Sequence, residues 1–584
     1  MKHISFKTPL LAAVVGFCLS SVCWGQSENL SVDLQGKDVP EELDVIVQYK
    51  QAPTSVDHQR VIARGGVHRN TFNSIRAGVY HVRANTIRDL ASDPNVTWVS
   101  PDRTLHAHLD QAQATIGASA AKTYGLTGAG VGVVIMDSGV GYTQDLAGKV
   151  VYENVFLPNT PEGDNFGHGT HVAGIIAGSG ALSTTNPYTT FTRTFHGVAE
   201  GVNLLDFQVL SSTGAGTDSA VIAALEQAVA FKKAGKYNIR VINLSLGRPV
   251  FESYKKDPLC QAVEQAWNAG IVVVVAAGNY GRMGPTTTYG YGTISAPGND
   301  PLVITVGATK DMGTTSLTDD QIATYSSKGP TLYDLVAKPD LVAPGNLIDS
   351  AQSQSNNIFG KYNSTWIALN LFAATSNNGA SNDYMQMSGT SMATPYVSAA
   401  AALLIQQNPS LTPDQVKARL MLTADKTTFP KTSSYKDPAT GITYKAQYDI
   451  FTIGAGYLNI ANALASTAVA PSGASAASPA LVFTSAGTLV FADSTNVVWG
   501  SNVVWGSNVV WGSNVVWGSN VVWGSNVVWG SSNLFLDAAN VVWGSNVVWG
   551  SNVVWGSNVV WGSTSLSSQS TDDATLILVD GDTY

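Results

Sequence analysis

Between about residue 126 and residue 465 the chain alternates short, continuously apolar runs with longer amphipathic segments, and this pattern constrains the fold most strongly. The apolar runs are Val131–Met136, Leu204–Leu210, Val241–Leu244, Ile271–Val275 and Leu302–Val306. Asp218–Lys233 and Leu259–Ala269, which lie between them, have the period of helices. Strands that are apolar on both sides occur in parallel sheets covered by helices on both faces. We therefore predict a three-layer α/β fold whose active residues gather at the carboxyl ends of the strands.

The N-terminus has the features of a secretory signal peptide. Lys2, His3 and Lys7 form a positive region, Pro9–Val22 is a short apolar segment, and small residues allow cleavage near Gly25. This apolar segment is shorter than a comfortable membrane span. We predict that residues 1–25 are removed and that the protein is secreted, with attachment to the cell surface as an open alternative.

Composition excludes some partners. Charged residues make up only 12% of the 584 residues, apolar residues 44%, and the formal net charge is −9. This balance is typical of a globular protein and argues against polyanionic partners. Residues 466–584 contain no Lys or Arg, so nucleic acid is not expected to bind there.

Four further regions flank the alternating pattern, one before it and three after it. Residues 26–109 contain a small α+β unit, with strand candidates at Val45–Tyr49, Gly78–Arg83 and Val96–Val99 and a short helix at Thr86–Ala91. Residues 110–465 form the α/β domain, 466–495 a linker with a β-hairpin, 496–563 a repeat region and 564–584 a C-terminal segment. The repeat unit is Ser-Asn-Val-Val-Trp-Gly, which places ten Trp residues at regular intervals and predicts a β-rich tail.

Three motifs carry candidate chemistry. Ser391 lies in Ser388-Gly-Thr-Ser-Met-Ala-Thr-Pro395, where an alanine-rich helix begins and free helix N–H groups can receive an oxyanion. A helix cap is the usual role of a lone serine there. Asp137 directly follows the first apolar strand, and His168 lies in the glycine turn Gly167-His-Gly-Thr-His171 before an apolar helix.

Asp, His and Ser in this order on a parallel sheet resemble the subtilisin-like serine peptidases, the subtilases. The resemblance covers about residues 41–465 and also includes Ser245-Leu-Gly247, Ala277-Gly-Asn279 and Tyr325–Pro330. It implies a serine endopeptidase that hydrolyses protein or peptide substrates through an acyl-enzyme. By this resemblance Ser391 is the nucleophile, His168 the general base, Asp137 the residue that orients His168, and Asn279 an oxyanion donor.

The resemblance also implies binding residues and one metal site. Ser245, Leu246, Gly247, Gly214 and Gly216 match the segments that pair with the substrate backbone. Tyr280 and Ser295 border the primary specificity pocket, and neither is acidic, which argues against a strict preference for basic residues.

Asp145 resembles a calcium ligand of the family. The long loop after Gly174 lacks the short Asn-rich calcium turn, so a surface Asp in a loop is an equal alternative. The chemistry itself requires no cofactor; structural calcium is the one metal that the resemblance suggests.

Residues 26–109 resemble a ferredoxin-like subtilase propeptide, which acts as a folding chaperone and a transient inhibitor. We predict that Ser391 cuts the precursor within a few residues of Leu109. A second hypothesis is a surface-attachment or binding protein that uses the peptidase fold as a scaffold. Its Trp-repeat tail would bind a surface, a glycan or itself, whereas a self-packed spacer or a tail removed on maturation are the alternatives.

Overall fold

The structure is a computed structural model of the chain. It describes residues 29–30, 34, 41–72, 76–101, 108–184, 190–282, 290–426, 428, 430–437, 440–471, 473–483, 489–491, 503–504, 510–511, 514–516, 522–524, 578 and 581–582. The chain divides into two compact units, Met1–Leu105 and His106–Tyr584. The signal segment 1–25 lies outside the described residues.

The first unit has a four-stranded antiparallel sheet and two helices. Its elements are β1 (Glu42–Tyr49), α1 (Ser55–Ile62), β2 (Val67–Phe72), β3 (Ala77–Arg83), α2 (Ala84–Ala91) and β4 (Val96–Pro101). The strand order is β2-β3-β1-β4, which with this element order is the β-α-β-β-α-β arrangement of the ferredoxin-like fold. The unit has its own apolar core, which includes Val45, Val47, Tyr80, Leu90 and Val99.

The second unit contains the remaining elements. They are α3 (His108–Thr115), α4 (Ala120–Thr123), β5 (Gly132–Asp137), β6 (Val150–Val155), α5 (His168–Ala177), β7 (Asn203–Gln208), α6 (Asp218–Lys233), β8 (Ile239–Leu244), α7 (Pro258–Asn268), β9 (Val272–Ala276), β10 (Ile304–Lys310), β11 (Gln321–Ile322), β12 (Leu341–Pro344), β13 (Ile348–Ala351), α8 (Asn357–Lys361), β14 (Trp366–Ala368), β15 (Ala380–Met387), α9 (Thr390–Gln407), α10 (Pro413–Thr423), β16 (Thr432–Lys436), β17 (Thr443–Gln447), α11 (Ile450–Ile453), α12 (Ile460–Ala465), β18 (Leu481–Phe483) and β19 (Leu489–Phe491). Within the repeats lie the short strands β20 (Val503–Val504), β21 (Val510–Trp511), β22 (Asn514–Val516) and β23 (Val522–Gly524).

An eight-stranded sheet forms the centre of this unit. Its order is β11-β10-β9-β8-β5-β7-β6, with β12 beside β10, and every pairing except β10–β11 is parallel. Helices α5 and α9 pack together on the sheet, and α6 and α7 form a separate pair, so that helices cover both faces. This confirms the α/β fold predicted from the apolar runs.

Strand β5 lies where the strand order reverses. It pairs with β7 on one side and with β8 on the other, and all six of its residues are buried. In open parallel sheets a crevice forms at such a switch point, beyond the carboxyl ends of the strands. The fold therefore places Asp137, the last residue of β5, at the position where a site is expected.

The segment predicted as a linker is partly packed onto the second unit. The hairpin β18–β19 is present, as predicted. Just before it, however, the buried Ser478 hydroxyl donates to Asp340 at 2.5 Å and accepts from Lys417 Nζ at 2.9 Å, and Ala480 bridges to Val336. A buried aspartate with two lysine partners needs its remaining hydrogen bonds satisfied, and Ser478 supplies one.

No helix within the described ranges combines the length and the apolar character needed to cross a membrane.

Candidate active site

A buried aspartate and histidine form the base of the site. Asp137 ends β5 and is fully buried, and its Oδ1 lies 2.7 Å from Nδ1 of His168, the first residue of α5. The same Oδ1 accepts the N–H of Ser138 at 2.7 Å. Nδ1 therefore donates to the carboxylate, which leaves Nε2 as the basic nitrogen of a neutral ring.

The turn before His168 is held by another buried carboxylate, Asp164. Its Oδ1 accepts the N–H of Gly167 at 2.6 Å and the hydroxyl of Ser138 at 2.9 Å, and its Oδ2 accepts the N–H of Thr170 at 2.8 Å. These bonds satisfy free N–H groups at the start of α5, as an N-terminal cap does. Asp164 thus fixes the start of the helix, and with it the position of the His168 ring.

The environment of His168 makes it a stronger base than an isolated histidine. Burial alone would lower the pKa of His168, but the charge and the hydrogen bond of Asp137 outweigh this effect, so the pKa is raised. A basic nitrogen of raised pKa takes a proton from a hydroxyl more readily.

A third buried carboxylate, Asp206, lies on β7 beside Ile135 of β5. Its Oδ2 accepts the N–H of Val140 at 2.8 Å, and burial, followed by the charges of neighbouring acids, raises its pKa to about 8. The folded state holds this proton at pH values where Asp206 of the unfolded chain has lost it. The contribution of this protonation to folding stability is therefore fully present below the pKa of Asp206 in the unfolded chain, and it is lost as pH rises towards 8.

Asp206→Asn, which cannot ionise, is therefore expected to stabilise the protein at alkaline pH. Unfolding free energies are measured with urea in the Ser391→Ala background, which prevents autolysis. The free energy of unfolding of Asp206→Asn minus that of the protein with Asp206 is expected to increase by a few kcal/mol from about pH 5 to about pH 9. A difference that does not change with pH would contradict a protonated Asp206.

Ser391 is the second residue of α9, directly after a turn that only glycine fits. Gly389 has φ +149°, and its N–H donates to the carbonyl of Gly345 at 2.7 Å. The Ser391 hydroxyl donates to the carbonyl of Ser245 at 3.0 Å. In this structure the hydroxyl therefore does not donate to His168, although both residues line the same cleft.

Pro395 explains the close contact between Ser391 and Ser245. Proline has no N–H, so the carbonyl of Ser391, four residues earlier, lacks its helical hydrogen bond. The Ser245 hydroxyl donates to that carbonyl at 2.8 Å and accepts from Asn243 at 2.9 Å. The missing helical bond is thus replaced by one that ties the nucleophile candidate to the end of β8.

Asn279 follows β9 and points at the turn before Ser391. Its Oδ1 accepts the N–H of Thr390 at 2.9 Å and the Thr390 hydroxyl at 3.1 Å. The Thr390 hydroxyl also accepts the N–H of Gly278 at 3.1 Å. With Oδ1 held in this way, the amide Nδ2 is left to donate to an oxyanion beside the Ser391 N–H.

The remaining predicted binding residues surround one cleft of about 420 Å³. Its walls include His168, Ser391, Asn279, Gly214, Gly216, Ser245, Leu246 and Gly247. The structure thus brings together every predicted catalytic, oxyanion and substrate-binding residue, with Asp137 behind His168.

The side chains predicted to border the specificity pocket lie in the same cleft. Tyr280 and Ser295 line the cleft, as predicted, and Asp218 lies there as well. Arg248 Nε lies 2.9 Å from both carboxylate oxygens of Asp218, and Arg248 Nη2 also donates to the buried Asp257. The absence of a strict preference for basic residues stays a prediction.

His171 is a structural residue of α5. It is fully buried, its Nε2 lies 2.9 Å from the carbonyl of Ile348, and burial lowers its pKa to about 3. It is therefore neutral and donates this hydrogen bond.

Asp145 does not lie on the surface, so that alternative is wrong. It is 1% exposed, its Oδ1 accepts the N–H of Leu182 at 2.8 Å, and its Oδ2 accepts the hydroxyl of Tyr384 at 2.7 Å. Calcium requires six to eight oxygen ligands, whereas these neighbours present donors. The described part of the chain also contains no group of three or more His, Cys, Asp or Glu that could hold a metal ion. The contacts of Asp145 do not fit a calcium site.

Sequence reasoning missed Asp164, Ser138 and Thr390, which act through the residues that it found. Thr390 precedes Ser391 directly, and Ser138 follows Asp137 directly, so adjacency is a usable signal for both. Asp164 lies four residues before His168 in a Gly- and Asn-containing loop, where an aspartate is typical of a helix N-cap.

Comparisons with known proteins agree with this geometry. A model of the Subtilase family matches residues 128–451. Serine protease AprX of Bacillus subtilis (strain 168) is 37% identical over 365 residues, which are 61% of this chain and 76% of that protein. Subtilisin E of the same organism is 32% identical over 416 residues, 70% of this chain and 92% of that protein. The Extracellular serine proteinase of Thermus sp. (strain Rt41A) is 32% identical over 361 residues, 60% of this chain and 70% of that protein.

The family match spans the buried Asp137–His168 pair, the Ser391 turn and the sheet that aligns them. These agreements show that the chain belongs to the Subtilase family and is a subtilisin-like serine endopeptidase, acting on protein or peptide substrates.

Proposed function

We propose that this endopeptidase is secreted as a precursor whose N-terminal segment, residues 26–109, inhibits it until Ser391 removes that segment. The observation that carries the proposal is the compact unit Met1–Leu105, which has its own sheet and core and precedes a complete candidate site. A separate folded unit at this place suits a temporary inhibitor, because it can leave without taking part of the peptidase core with it.

The proposed chemistry begins with a rotation of the Ser391 side chain. Its hydroxyl turns from the carbonyl of Ser245 towards Nε2 of His168, which takes the proton as the oxygen attacks the substrate carbonyl. The Asn279 amide and the Ser391 N–H stabilise the oxyanion. His168 then protonates the leaving amine, and water attacks the acyl-enzyme with His168 again accepting the proton.

Substrate recognition is proposed to rely on the main chain. The segments Ser245–Gly247 and Gly214–Gly216 both line the cleft that holds His168 and Ser391. A substrate strand that pairs with both segments would gain hydrogen bonds that every peptide can supply. We therefore propose a broad endopeptidase specificity.

Autoprocessing is tested by Ser391→Ala. The purified wild-type precursor is expected to lose residues up to about position 109, whereas Ser391→Ala is expected to keep them, because no other described side chain takes the place of the nucleophile. Intact mass measures both ends at once. Ser398→Ala, which removes a hydroxyl two turns along the same helix, is the matched control and is expected to be processed.

Loss of the N-terminal segment from purified Ser391→Ala would refute self-cleavage. It would not contradict the assignment of the wild-type protein as an endopeptidase. Addition of a trace of mature wild-type enzyme to Ser391→Ala then distinguishes cleavage within one molecule from cleavage between molecules. Processing under these conditions shows cleavage between molecules.

The roles of the two chain ends remain proposals. The predicted signal lies outside the described residues, as does most of the repeat region. The surface-attachment hypothesis is the weaker of the two for the peptidase unit, since a scaffold has no need of the hydrogen bonds that align Asp137 with His168 and Asn279 with Thr390. Labelling of Ser391 by a fluorophosphonate distinguishes an enzyme from a scaffold.

A further inference from the structure

The end of the chain returns to the second unit and is buried beside the candidate site. Asp582 is fully buried and Leu578 is 8% exposed, although about a hundred residues separate them from α12. Leu578 is part of the apolar core of this unit and also one of the residues that line the substrate cleft.

The Asp582 side chain occupies a pocket that is built for a carboxylate. Its Oδ2 accepts the N–H of Thr324 at 2.7 Å, and its Oδ1 accepts the Thr324 hydroxyl at 2.6 Å. Arg282 Nη2 donates to the same Oδ1, and Lys310 Nζ lies 3.9 Å from Oδ2. Two cations, a hydroxyl and a main-chain N–H thus converge on one acid.

The two cations depend on this acid. Lys310 is 1% exposed, and burial lowers its pKa, with the charge of Asp582 opposing that effect. Burial would also lower the pKa of Arg282, but Asp582 outweighs it. Without Asp582, the two nearby positive charges would lose the acid that both of them contact, which is costly inside a protein.

The main chain of the segment is bound as specifically as its side chain. The Asn346 amide donates to the carbonyl of Asp582 at 2.9 Å, and its Oδ1 accepts the N–H of Asp582 at 2.8 Å. Gly581 has φ +58°, and a Cβ there would lie 2.2 Å from the hydroxyl oxygen of Ser388. Only glycine fits at this position, so the pocket is selective for a Gly-Asp pair.

Leu578 connects this pocket to the nucleophile candidate. The N–H of Ser388, three residues before Ser391, donates to the carbonyl of Leu578 at 2.8 Å. Main-chain pairing of this kind is also how a peptidase holds an extended peptide. Leu578 therefore pairs through its main chain with the turn that precedes Ser391, and it also lines the cleft.

We propose that Leu578, Gly581 and Asp582 act as a tethered peptide ligand: Gly581-Asp582 binds in the Arg282–Thr324–Asn346 pocket and holds Leu578 in the substrate cleft, so that these residues restrain the activity of the mature enzyme. The chain before the repeats is attached to the same unit at Ala480, so the docking is intramolecular and favoured by a high effective concentration. The pocket is a binding site for a Gly-Asp segment, and it is distinct from the cleft that Leu578 lines.

The test uses mature full-length protein whose intact mass shows that residue 584 is retained. Asp582→Asn keeps the shape of the side chain and removes its charge, so it is expected to lower the docked population and to raise kcat/KM towards a protein substrate about three- to tenfold. Glu226→Gln, which removes an exposed carboxylate of α6 outside the cleft lining, is the control and is expected to match wild type. Titration with a fluorophosphonate gives the concentration of active enzyme in each preparation.

A synthetic peptide of residues 576–584 provides a second readout. It is expected to bring Asp582→Asn back to the wild-type rate, whereas the same peptide with Asn at position 582 is expected to have no effect. A kcat/KM of Asp582→Asn at or below wild type, per titrated site, would overturn the proposal, as would a peptide that does not inhibit.

If Asp582→Asn does not fold, two other variants test the proposal. Gly581→Ala retains the acid but places a Cβ against Ser388, and Leu578→Ala retains the lock but shortens the side chain in the cleft. Both are expected to raise kcat/KM towards the protein substrate. Wild-type values for both variants would refute the restraint.

Discussion

Replacing His168 by alanine is expected to lower kcat of the mature enzyme about a million-fold, the effect that loss of this residue has in the related enzyme subtilisin. The structure gives the physical reason. The ring lines the cleft with Ser391, and the buried carboxylate of Asp137 orients it. Without it nothing takes the proton from the Ser391 hydroxyl or returns it to the leaving amine.

The matched control is His196→Ala, which removes a partly exposed histidine that lies 3.7 Å from Glu200, outside the cleft lining. Its activity is expected to stay within about twofold of wild type, as for most surface substitutions. Rates with a peptide substrate, normalised to folded protein by circular dichroism, measure both variants. A His168→Ala enzyme with one-tenth of wild-type activity would show that another base operates.

The same residue sets the pH dependence. The base works only when neutral, so kcat/KM is expected to rise with pH through the pKa of His168. Asp137 raises that pKa above the ordinary histidine value, so the rise is expected on the alkaline side of it. Asp137→Asn removes the charge that causes the shift, and the rise is then expected to move to lower pH.

The central strands could be predicted from the sequence because burial on both faces leaves an unbroken apolar run. Helix α6 has the bounds that its period predicts, Asp218–Lys233, and β8 contains the predicted Val241–Leu244. The region between β12 and α9 gave no such pattern. Its strands are short and include polar residues such as Asp349 and Gln386, which bond to each other across β13 and β15 at 2.7 Å. A polar pair of this kind is apparent only when the two strands are side by side.

The catalytic candidates could be predicted because each sits in a short motif of small residues, but their supporting contacts come from distant parts of the chain. Ser245 was predicted to bind substrate through its main chain; its hydroxyl also bonds to the Ser391 carbonyl that Pro395 leaves free. The Asp582 pocket joins residues about 236 to 300 positions apart in sequence, a separation over which no local pattern extends. Long-range polar contacts of this type determine the geometry of the site. They cannot be predicted from local sequence patterns.

Asn279→Ala is expected to lower kcat about 10²- to 10³-fold with little change in KM, the second-largest effect on activity. In the proposed mechanism its amide Nδ2 donates to the oxyanion, which exists only in the transition state and the tetrahedral intermediates, so its loss is not expected to weaken binding of the ground state. The orientation depends on Thr390, whose N–H and hydroxyl both donate to Asn279 Oδ1.

Thr390→Val separates positioning from direct donation. It removes the hydroxyl bond and keeps the main-chain N–H bond, so the amide is held by one contact instead of two, and kcat is expected to fall about tenfold or less. In Asn279→Ala the side chain that Thr390 orients is absent, so adding Thr390→Val should cost little more. Full additivity of the two losses would mean that Thr390 acts on catalysis independently of Asn279, and a change confined to KM would place Asn279 in substrate binding instead of oxyanion stabilisation.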